Sequence, residues 1–103
     1  MENPIRSKQG VAEWMQSLAE PTRLAIICVL SNGPLHVSEI SEAVNAEVVN
    51  VSHHLGRMKL SGILACEKKG RFMFYQLKDA TVSKNKNIRL RHESGTAIIV
   101  PLI

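Results

Sequence analysis

The sequence predicts an α+β fold in which helices come first and β-hairpins follow. Apolar residues recur at spacings of three and four as far as Leu60, which is the helical period. After Gly62, short β-rich runs alternate with glycine-containing turns. The 103 residues contain no internal repeat or long linker, so we expect one domain over residues 1–103. Residues 1–7 are expected to be flexible, and residues 78–103 to form an atypical C-terminal extension.

Two helices are predicted in the first third of the chain. From Lys8 to Ala19 the apolar residues share one helical face. Pro21 suits the first turn of a second helix, which is apolar almost all round and is therefore expected to be the central core helix. The sequence Asn32-Gly33-Pro34 combines a helix-ending glycine with a helix breaker, so it should end this helix.

The next segment predicts two short helices joined by a tight turn. Ser38 is a favourable N-cap for a helix that ends at Val44. Asn45 tolerates the left-handed conformation that ends a helix sharply. A longer helix should run from about Glu47 to Leu60. Two helices at this spacing indicate a helix-turn-helix motif.

Two β-hairpins are predicted after the helices. Residues 63–67 and 72–77 are strand candidates around the turn Lys68–Arg71. Residues 87–92 and 96–102 form a second pair around Glu93–Gly95, with Pro101 on an edge or in irregular structure. The complete order predicts a winged helix-turn-helix of about four helices and a two-stranded wing, with an extra C-terminal β-hairpin.

Composition and charge favour a nucleic-acid partner in the cytoplasm. Residues 53–91 hold ten Lys and Arg against two acids, whereas residues 1–52 hold three cations against six acids. A basic half on a small domain suits a polyanion, although a basic face kept for solubility explains the charge equally well. The two cysteines form no CxxC pair or disulfide framework, which indicates a reducing compartment. No apolar run could span a membrane, and the first residues lack a hydrophobic signal core.

The helix from Glu47 to Leu60 has one face suited to reading DNA. A helical wheel places Val48, Val51, Leu55 and Met58 together on the buried side. The opposite side carries Val49, Asn50, Ser52, His53 and Arg57, which we predict to be the DNA-reading residues. Asn pairs bidentately with adenine, Ser and His donate to base edges or phosphates, and Val contacts a thymine methyl. A merely solvated face would carry more Glu and Lys, whereas residues 48–60 contain two cations and no acid.

Two further residues of this helix complete the prediction. Gly56 is a poor helix former, so its backbone is expected to pass close to a neighbouring element or a phosphate. His54 lies at the edge of the buried side and is expected to pack or form hydrogen bonds rather than to read bases.

The predicted wing carries a cluster of cations at its tip. Lys68, Lys69 and Arg71 are expected to hold phosphates or enter a minor groove. A charged turn kept for solubility is the alternative. The cluster lies in the hairpin that directly follows the predicted reading helix, and this position favours the DNA contact.

Taken together, these motifs resemble the ArsR/SmtB family of winged-helix repressors over about Ser17 to Leu77. The segments that carry the resemblance are Leu18–Leu24 (LAEPTRL), Leu35–Ile40 (LHVSEI), Val51–Leu55 (VSHHL), Gly70-Arg71 and Tyr75. The resemblance implies a homodimer that binds operator DNA and is released by a ligand or a chemical modification.

The chain departs from the family at both of the family's usual metal sites. His36 and Ser38 stand where metal-sensing members carry a Cys-x-Cys motif, and no His follows two residues after Asp79. We therefore expect no metal or cofactor at these places. Because the region after Leu77 is basic and β-rich, the usual last dimerisation helix is also in doubt. Dimerisation should then depend on the N-terminal helix, with the C-terminal hairpin as a further candidate.

Other combinations of potential metal ligands remain open in the sequence. The candidates are His36, His53, His54, His92, Cys28 and Cys66. Adjacent His53 and His54 diverge by about 100° on a helix, so they cannot easily share a metal. Cys28 is expected in the core and Cys66 half-buried in the first wing strand, where either thiol could act as a redox switch.

Three classes of function follow, in order of preference. The first is a dimeric, sequence-specific repressor of transcription that binds double-stranded DNA and is released by an unidentified signal. The second is a winged-helix protein-interaction module without specific DNA binding. An enzyme is not expected, because the sequence has no nucleophile–base set, phosphate-binding glycine loop or paired carboxylates.

Overall fold

The computed structural model describes residues 3–102, and the first helix begins four residues earlier than predicted. Helix α1 spans Pro4–Gln16. The side chain of Asn3 caps it by accepting a hydrogen bond from the Ile5 N–H at 2.9 Å. Asn followed by Pro is favourable capping chemistry, which explains the early start. Residues 3–7, predicted to be flexible, thus form the cap and first turn of α1, whereas residues 1 and 2 lie outside the described chain.

Helix α2 is the central helix, as predicted. It spans Pro21–Val29 and continues into a 3₁₀ turn over Leu30–Asn32. Glu20 is its N-cap, because its carboxylate accepts a hydrogen bond from the Arg23 N–H at 3.0 Å. Ile26 and Ile27 are fully buried. Gly33, with a φ of 134°, ends the segment in a conformation that favours glycine.

The helix-turn-helix consists of α3 and α4. Helix α3 spans Val37–Val44 and α4 spans Val48–Leu60. Asn45 adopts the predicted left-handed conformation, with φ 56° and ψ 51°. The predicted N-cap of α3 is wrong: His36 occupies that position, and Ser38 lies inside the first turn. The backbone N–H of His36 donates to Glu39 Oε1 at 3.1 Å, which secures this start.

The first sheet is the wing, and it has three strands rather than two. Strand β2 spans Leu64–Lys69 and β3 spans Phe72–Leu77, paired antiparallel with Lys69 opposite Phe72. The short strand β1, Leu35–His36, adds to the other side of β3. The turn is tighter than the predicted Lys68–Arg71. It contains only Gly70, at φ 63°, and Arg71, because both lysines continue the strand.

The C-terminal region forms a second antiparallel sheet of three strands. Strands β5 (Asn87–Arg91) and β6 (Ala97–Pro101) are the predicted hairpin. Strand β4, Ala80–Val82, pairs with β5 and was not predicted, because three residues give too little periodicity. The order β4-β5-β6 leaves Pro101 on an edge strand, where its missing N–H costs no ladder bond.

One hydrophobic core joins the helices to both sheets. Ile88 and Leu90 of β5 are buried together with residues of every helix. The indole ring of Trp14 in α1 packs against the His92 ring, with centroids 5.3 Å apart. The second sheet is therefore anchored on the helical part of the domain. Within residues 3–102, every helix is too short or too polar to cross a membrane.

Candidate nucleic-acid interface

The solvent side of α4 carries all five residues predicted to read DNA. Val49 is 80% exposed, and Asn50, Ser52, His53 and Arg57 are also exposed. The exposed part of α4 presents hydrogen-bond donors and acceptors, one branched apolar side chain and cations, with no acid between Val48 and Leu60. These are the chemical groups that distinguish bases in a major groove.

The opposite side of α4 is packed into the core, with one correction to the prediction. Val51, Leu55 and Met58 are fully buried, as the helical wheel indicated. Val48 is 44% exposed, because it lies at the first residue of the helix, where few neighbours cover it. Three buried side chains over two turns hold α4 firmly enough to present its outer face in one orientation.

A buried polar network links α4 to the start of α2. Arg23 Nη1 donates to His54 Nδ1 at 3.1 Å, and Arg23 is only 8% exposed. Because a guanidinium only donates, His54 Nδ1 is the acceptor, and its Nε2–H lies 3.7 Å from Glu20 Oε2. His54 is thus a hydrogen-bonding residue and not a reader, as the sequence indicated.

Arg23 also holds the end of α1, a role that sequence reasoning missed. Its Nε donates to the Ser17 carbonyl at 2.7 Å, and its Nη2 donates to the Gln16 carbonyl at 3.3 Å. The guanidinium of Arg23 therefore donates hydrogen bonds both to carbonyl groups at the end of α1 and to the imidazole ring of His54 in α4. The available signal was a charged residue within the otherwise apolar helix α2, since a buried charge normally has partners.

The carboxylate of Glu20 completes this network. Burial acts to raise its pKa, but hydrogen bonds from the backbone N–H groups of Arg23 and Thr22 outweigh burial and lower the pKa below its ordinary value. The ionised carboxylate is therefore the form that the fold favours.

The C-terminal end of α4 is tied to the end of α1. The hydroxyl groups of Ser17 and Ser61 are hydrogen-bonded to each other. Ser61 is the C-cap of α4, and Gly62 follows with a φ of 81°. The middle of α4, through His54, and its C-terminal end, through Ser61, thus contact the α1–α2 junction, so a movement of that junction would change how α4 is presented.

Gly56 lies on the exposed side of α4 with open space around it. A Cβ built at this position meets no described atom within 4 Å. The expectation that a neighbouring protein element approaches Gly56 is therefore wrong for residues 3–102. The remaining explanation from the sequence is close approach of a phosphate.

The wing places its three cations at the tip. Lys68 and Lys69 end β2, Arg71 lies in the turn, and all three are exposed. Lys68 and Lys69 point to opposite faces of the hairpin, since successive residues of a strand alternate. The tip is therefore cationic on both faces and can contact phosphates on either side of a groove.

An aromatic cluster lies on one face of the wing and was not predicted as part of the site. The rings of His36 and Phe72 are stacked, with centroids 4.9 Å apart and planes at 22°. Phe74 meets the His36 ring edge-on at 5.6 Å. The Lys69 ammonium lies 5.8 Å from the Phe74 centroid and the Arg71 guanidinium 5.4 Å from the Phe72 centroid. The pairing of β1 with β3 creates this cluster, which no local pattern reveals.

Both cysteines are half-buried free thiols. Burial raises the pKa of Cys28, whose thiol donates to the Pro101 carbonyl at 3.7 Å. Its predicted place in the core is therefore only partly right. Cys66 lies beside Lys59 of α4. A hydrogen bond between the two side chains, and secondly the electrostatic interaction between them, raise the pKa of Lys59.

The potential metal ligands are scattered over the described part of the chain. Among residues 3–102, no three His, Cys, Asp or Glu side chains come together in a way that could hold a metal ion. His36 lies with Phe72, His54 with Arg23 and His92 with Trp14.

The arrangement of α3, α4 and a cationic wing is that of a winged helix-turn-helix DNA-binding protein. Residues 20–65 match the model of the bacterial regulatory protein arsR family. The chain is 39% identical to the HTH-type transcriptional regulator NmtR of Mycobacterium tuberculosis over 72% of its own length and 62% of that regulator. It is 31% identical to a cadmium resistance transcriptional regulatory protein, a CadC homolog of Staphylococcus aureus, over 95% of its own length and 78% of that protein.

Solved structures agree with this assignment. The transcriptional repressor BigR of Xylella fastidiosa superposes with a TM-score of 0.63 at 27% identity, over 77% of this chain and 83% of that one. A homodimeric winged helix-turn-helix DNA-binding domain of Mycobacterium bovis gives a TM-score of 0.70 at 23% identity, over 76% of this chain and 72% of that one. The chain belongs to the ArsR family and is a DNA-binding transcriptional regulator.

Proposed function

We propose that the protein is a dimeric repressor that inserts α4 into the major groove of its operator. Val49, Asn50, Ser52, His53 and Arg57 contact base edges and nearby phosphates. The observation that carries the proposal is the exposed, acid-free face of α4, held in place by the contact between Arg23 and His54. A rigid scaffold beneath an exposed reading face lowers the entropic cost of binding.

The wing is proposed to anchor the complex on the DNA backbone. Lys68, Lys69 and Arg71 neutralise phosphates beside the α4 site. Each neutralised phosphate releases counterions, so affinity should fall steeply as salt concentration rises.

The dimer interface is proposed to include α1 and the C-terminal hairpin of β5 and β6. An open apolar groove of about 370 Å³ is lined by Met15, Leu18, Leu24 and Ile98 together with Gln16 and Ala19. A second apolar surface runs along α1 from Pro4 to Ala12, where Ile5 is 84% exposed. Contiguous apolar surface of this kind normally marks an interaction site. In a symmetric dimer the two α4 helices would enter successive major grooves, about 34 Å apart.

The signal that releases the protein from DNA is proposed to act at a place other than the two positions where members of the family bind metal. His36 is engaged with Phe72 and Glu39, and Ser38 offers no thiolate. Because the protein acts on genomic DNA, we place it in the cytoplasm.

The test is a gel-shift titration on the promoter region beside the protein's own coding sequence, with a scrambled duplex of the same composition as the control. We expect a complex with the promoter at salt concentrations that abolish binding to the scrambled duplex. Equal affinity for both duplexes would refute sequence-specific repression. Arg57→Ala should weaken the promoter complex, whereas Lys84→Ala, on the loop between β4 and β5, should leave it unchanged.

A further inference from the structure

The wing tip combines cations with exposed apolar side chains. Phe72 is 44% exposed and Met73 is 39% exposed, directly after Gly70 and Arg71. A large apolar side chain that stays in water forgoes the free energy of burial. Apolar side chains next to Arg and Lys are the composition of proteins that enter the minor groove and insert a wedge between base pairs.

The ring of Phe72 is held in place before any DNA binds. It stacks on His36 at 4.9 Å, and the Arg71 guanidinium lies over it at 5.4 Å. His36 is itself fixed by the hydrogen bond from its backbone to Glu39, and its Nε2 lies 3.4 Å from the same carboxylate oxygen. A side chain ordered in advance loses less conformational entropy on binding.

The environment of His36 supports a packing role for its ring. His36 Nδ1 is buried and forms no hydrogen bond within the described part of the chain. A buried ring nitrogen without a partner is unfavourable. The ring is held by its packing on Phe72 and Phe74 and by the Glu39 carboxylate beside Nε2, and it connects the wing tip to the start of α3.

We propose that Phe72 is an apolar wedge that enters the minor groove beside the α4 site and opens one base step. Lys69 and Arg71 hold the adjacent phosphates, and His36 is the positioning residue that braces the ring. This inference rests on the proposed operator binding. Pyrimidine–purine steps unstack most readily, so the wedge selects a flexible step in the operator flank without forming a hydrogen bond to any base.

Phe72 suits this role better than the two residues after it. Phe74 lies farther from the tip and pairs with Glu67, whose carboxylate would face the phosphates. Met73 points to the other face, opposite Lys68. Met73→Ala is therefore a matched control for Phe72→Ala, because both remove an exposed apolar side chain from the same strand.

The experiment uses the promoter duplex of the gel-shift assay with 2-aminopurine placed at successive flank positions. We expect wild-type protein to raise the fluorescence at one flank step about twofold and to kink the duplex by about 20–90°, measured by energy transfer between its ends. Phe72→Ala should abolish both signals while the complex persists, and Met73→Ala should retain them. His36→Ala should reduce both signals, and His36→Tyr, which keeps a stacking ring, should restore them.

Circular dichroism of each variant checks that the fold is intact. A wild-type complex without a fluorescence rise, or an undiminished rise with Phe72→Ala, would overturn the wedge while leaving operator binding in place. The absence of any wild-type complex would overturn the proposed function and the wedge together.

Discussion

Arg23 in α2 and His54 in α4 are joined by a hydrogen bond of 3.1 Å between a guanidinium and a ring nitrogen. The two residues are 31 positions apart, and the bond is almost completely shielded from solvent at Arg23. It connects the helix that organises the core with the helix that carries the residues proposed to read DNA. The orientation of α4 thus depends on a polar contact as well as on its buried apolar side chains.

The contact between Arg23 and His54 should contribute measurably to stability. Arg23→Met keeps the aliphatic stem but leaves His54 and the Ser17 carbonyl without a donor, so the free energy of unfolding should fall by about 1–3 kcal/mol. Urea denaturation followed by circular dichroism measures this change. His54→Ala should also destabilise the protein, whereas His53→Ala should lower DNA affinity and leave the urea midpoint unchanged. The structure would be contradicted if His53→Ala lowered the urea midpoint while His54→Ala lowered only the DNA affinity.

Stability at acid pH should depend on Glu20. Its folded-state pKa is lowered, so the ionised carboxylate stabilises the fold fully above the ordinary carboxyl pKa of 4.5, and this contribution is lost as the pH falls through the lowered value. Glu20→Gln should therefore reduce stability at neutral pH and flatten the loss of stability between neutral and acid pH. Thermal unfolding of wild type and variant between neutral and acid pH measures this dependence of stability on pH. Glu42→Gln, at an exposed position of α3, is the control; an equal effect there would contradict a specific role for Glu20.

The two groups of proposed DNA contacts should respond differently to mutation. Asn50→Ala should cost about 1–3 kcal/mol of operator binding and relax the base preference at one position. Lys69→Ala should weaken binding to all sequences and reduce the slope of affinity against salt by about one unit. Fluorescence anisotropy at several salt concentrations separates the two effects. If Asn50→Ala weakened binding to all sequences equally, Asn50 would not be a base-reading residue.

The apolar groove should be required for dimerisation. Leu24→Glu places a charge among Met15, Leu18 and Ile98, and should convert the dimer to a monomer because a charge buried in an interface has no partner. Sedimentation velocity measures the change. Val82→Glu alters a side chain of similar exposure on β4 and should leave the dimer intact. A Leu24→Glu protein that remains dimeric would exclude this groove from the interface.

The sequence by itself determined the order and type of most elements. Helical periodicity located α2 and α4, the left-handed Asn45 marked the turn between α3 and α4, and the exposed side of α4 could be assigned residue by residue. These features are local, because a helix repeats every 3.6 residues and a turn depends on the backbone preference of one or two residues. The family resemblance, confirmed by the comparisons, also rests on short consecutive motifs.

Only the tertiary structure decided the contacts between distant residues. The pairing of Arg23 with His54, the stacking of His36 on Phe72 and the addition of β1 to the wing join residues 31 to 40 positions apart. No local pattern encodes such contacts, since they arise when packing brings separate elements together. Strand β4 was missed because three residues give too little periodicity, and Val48 is more exposed than its place on the helical wheel indicated because it is the first residue of α4.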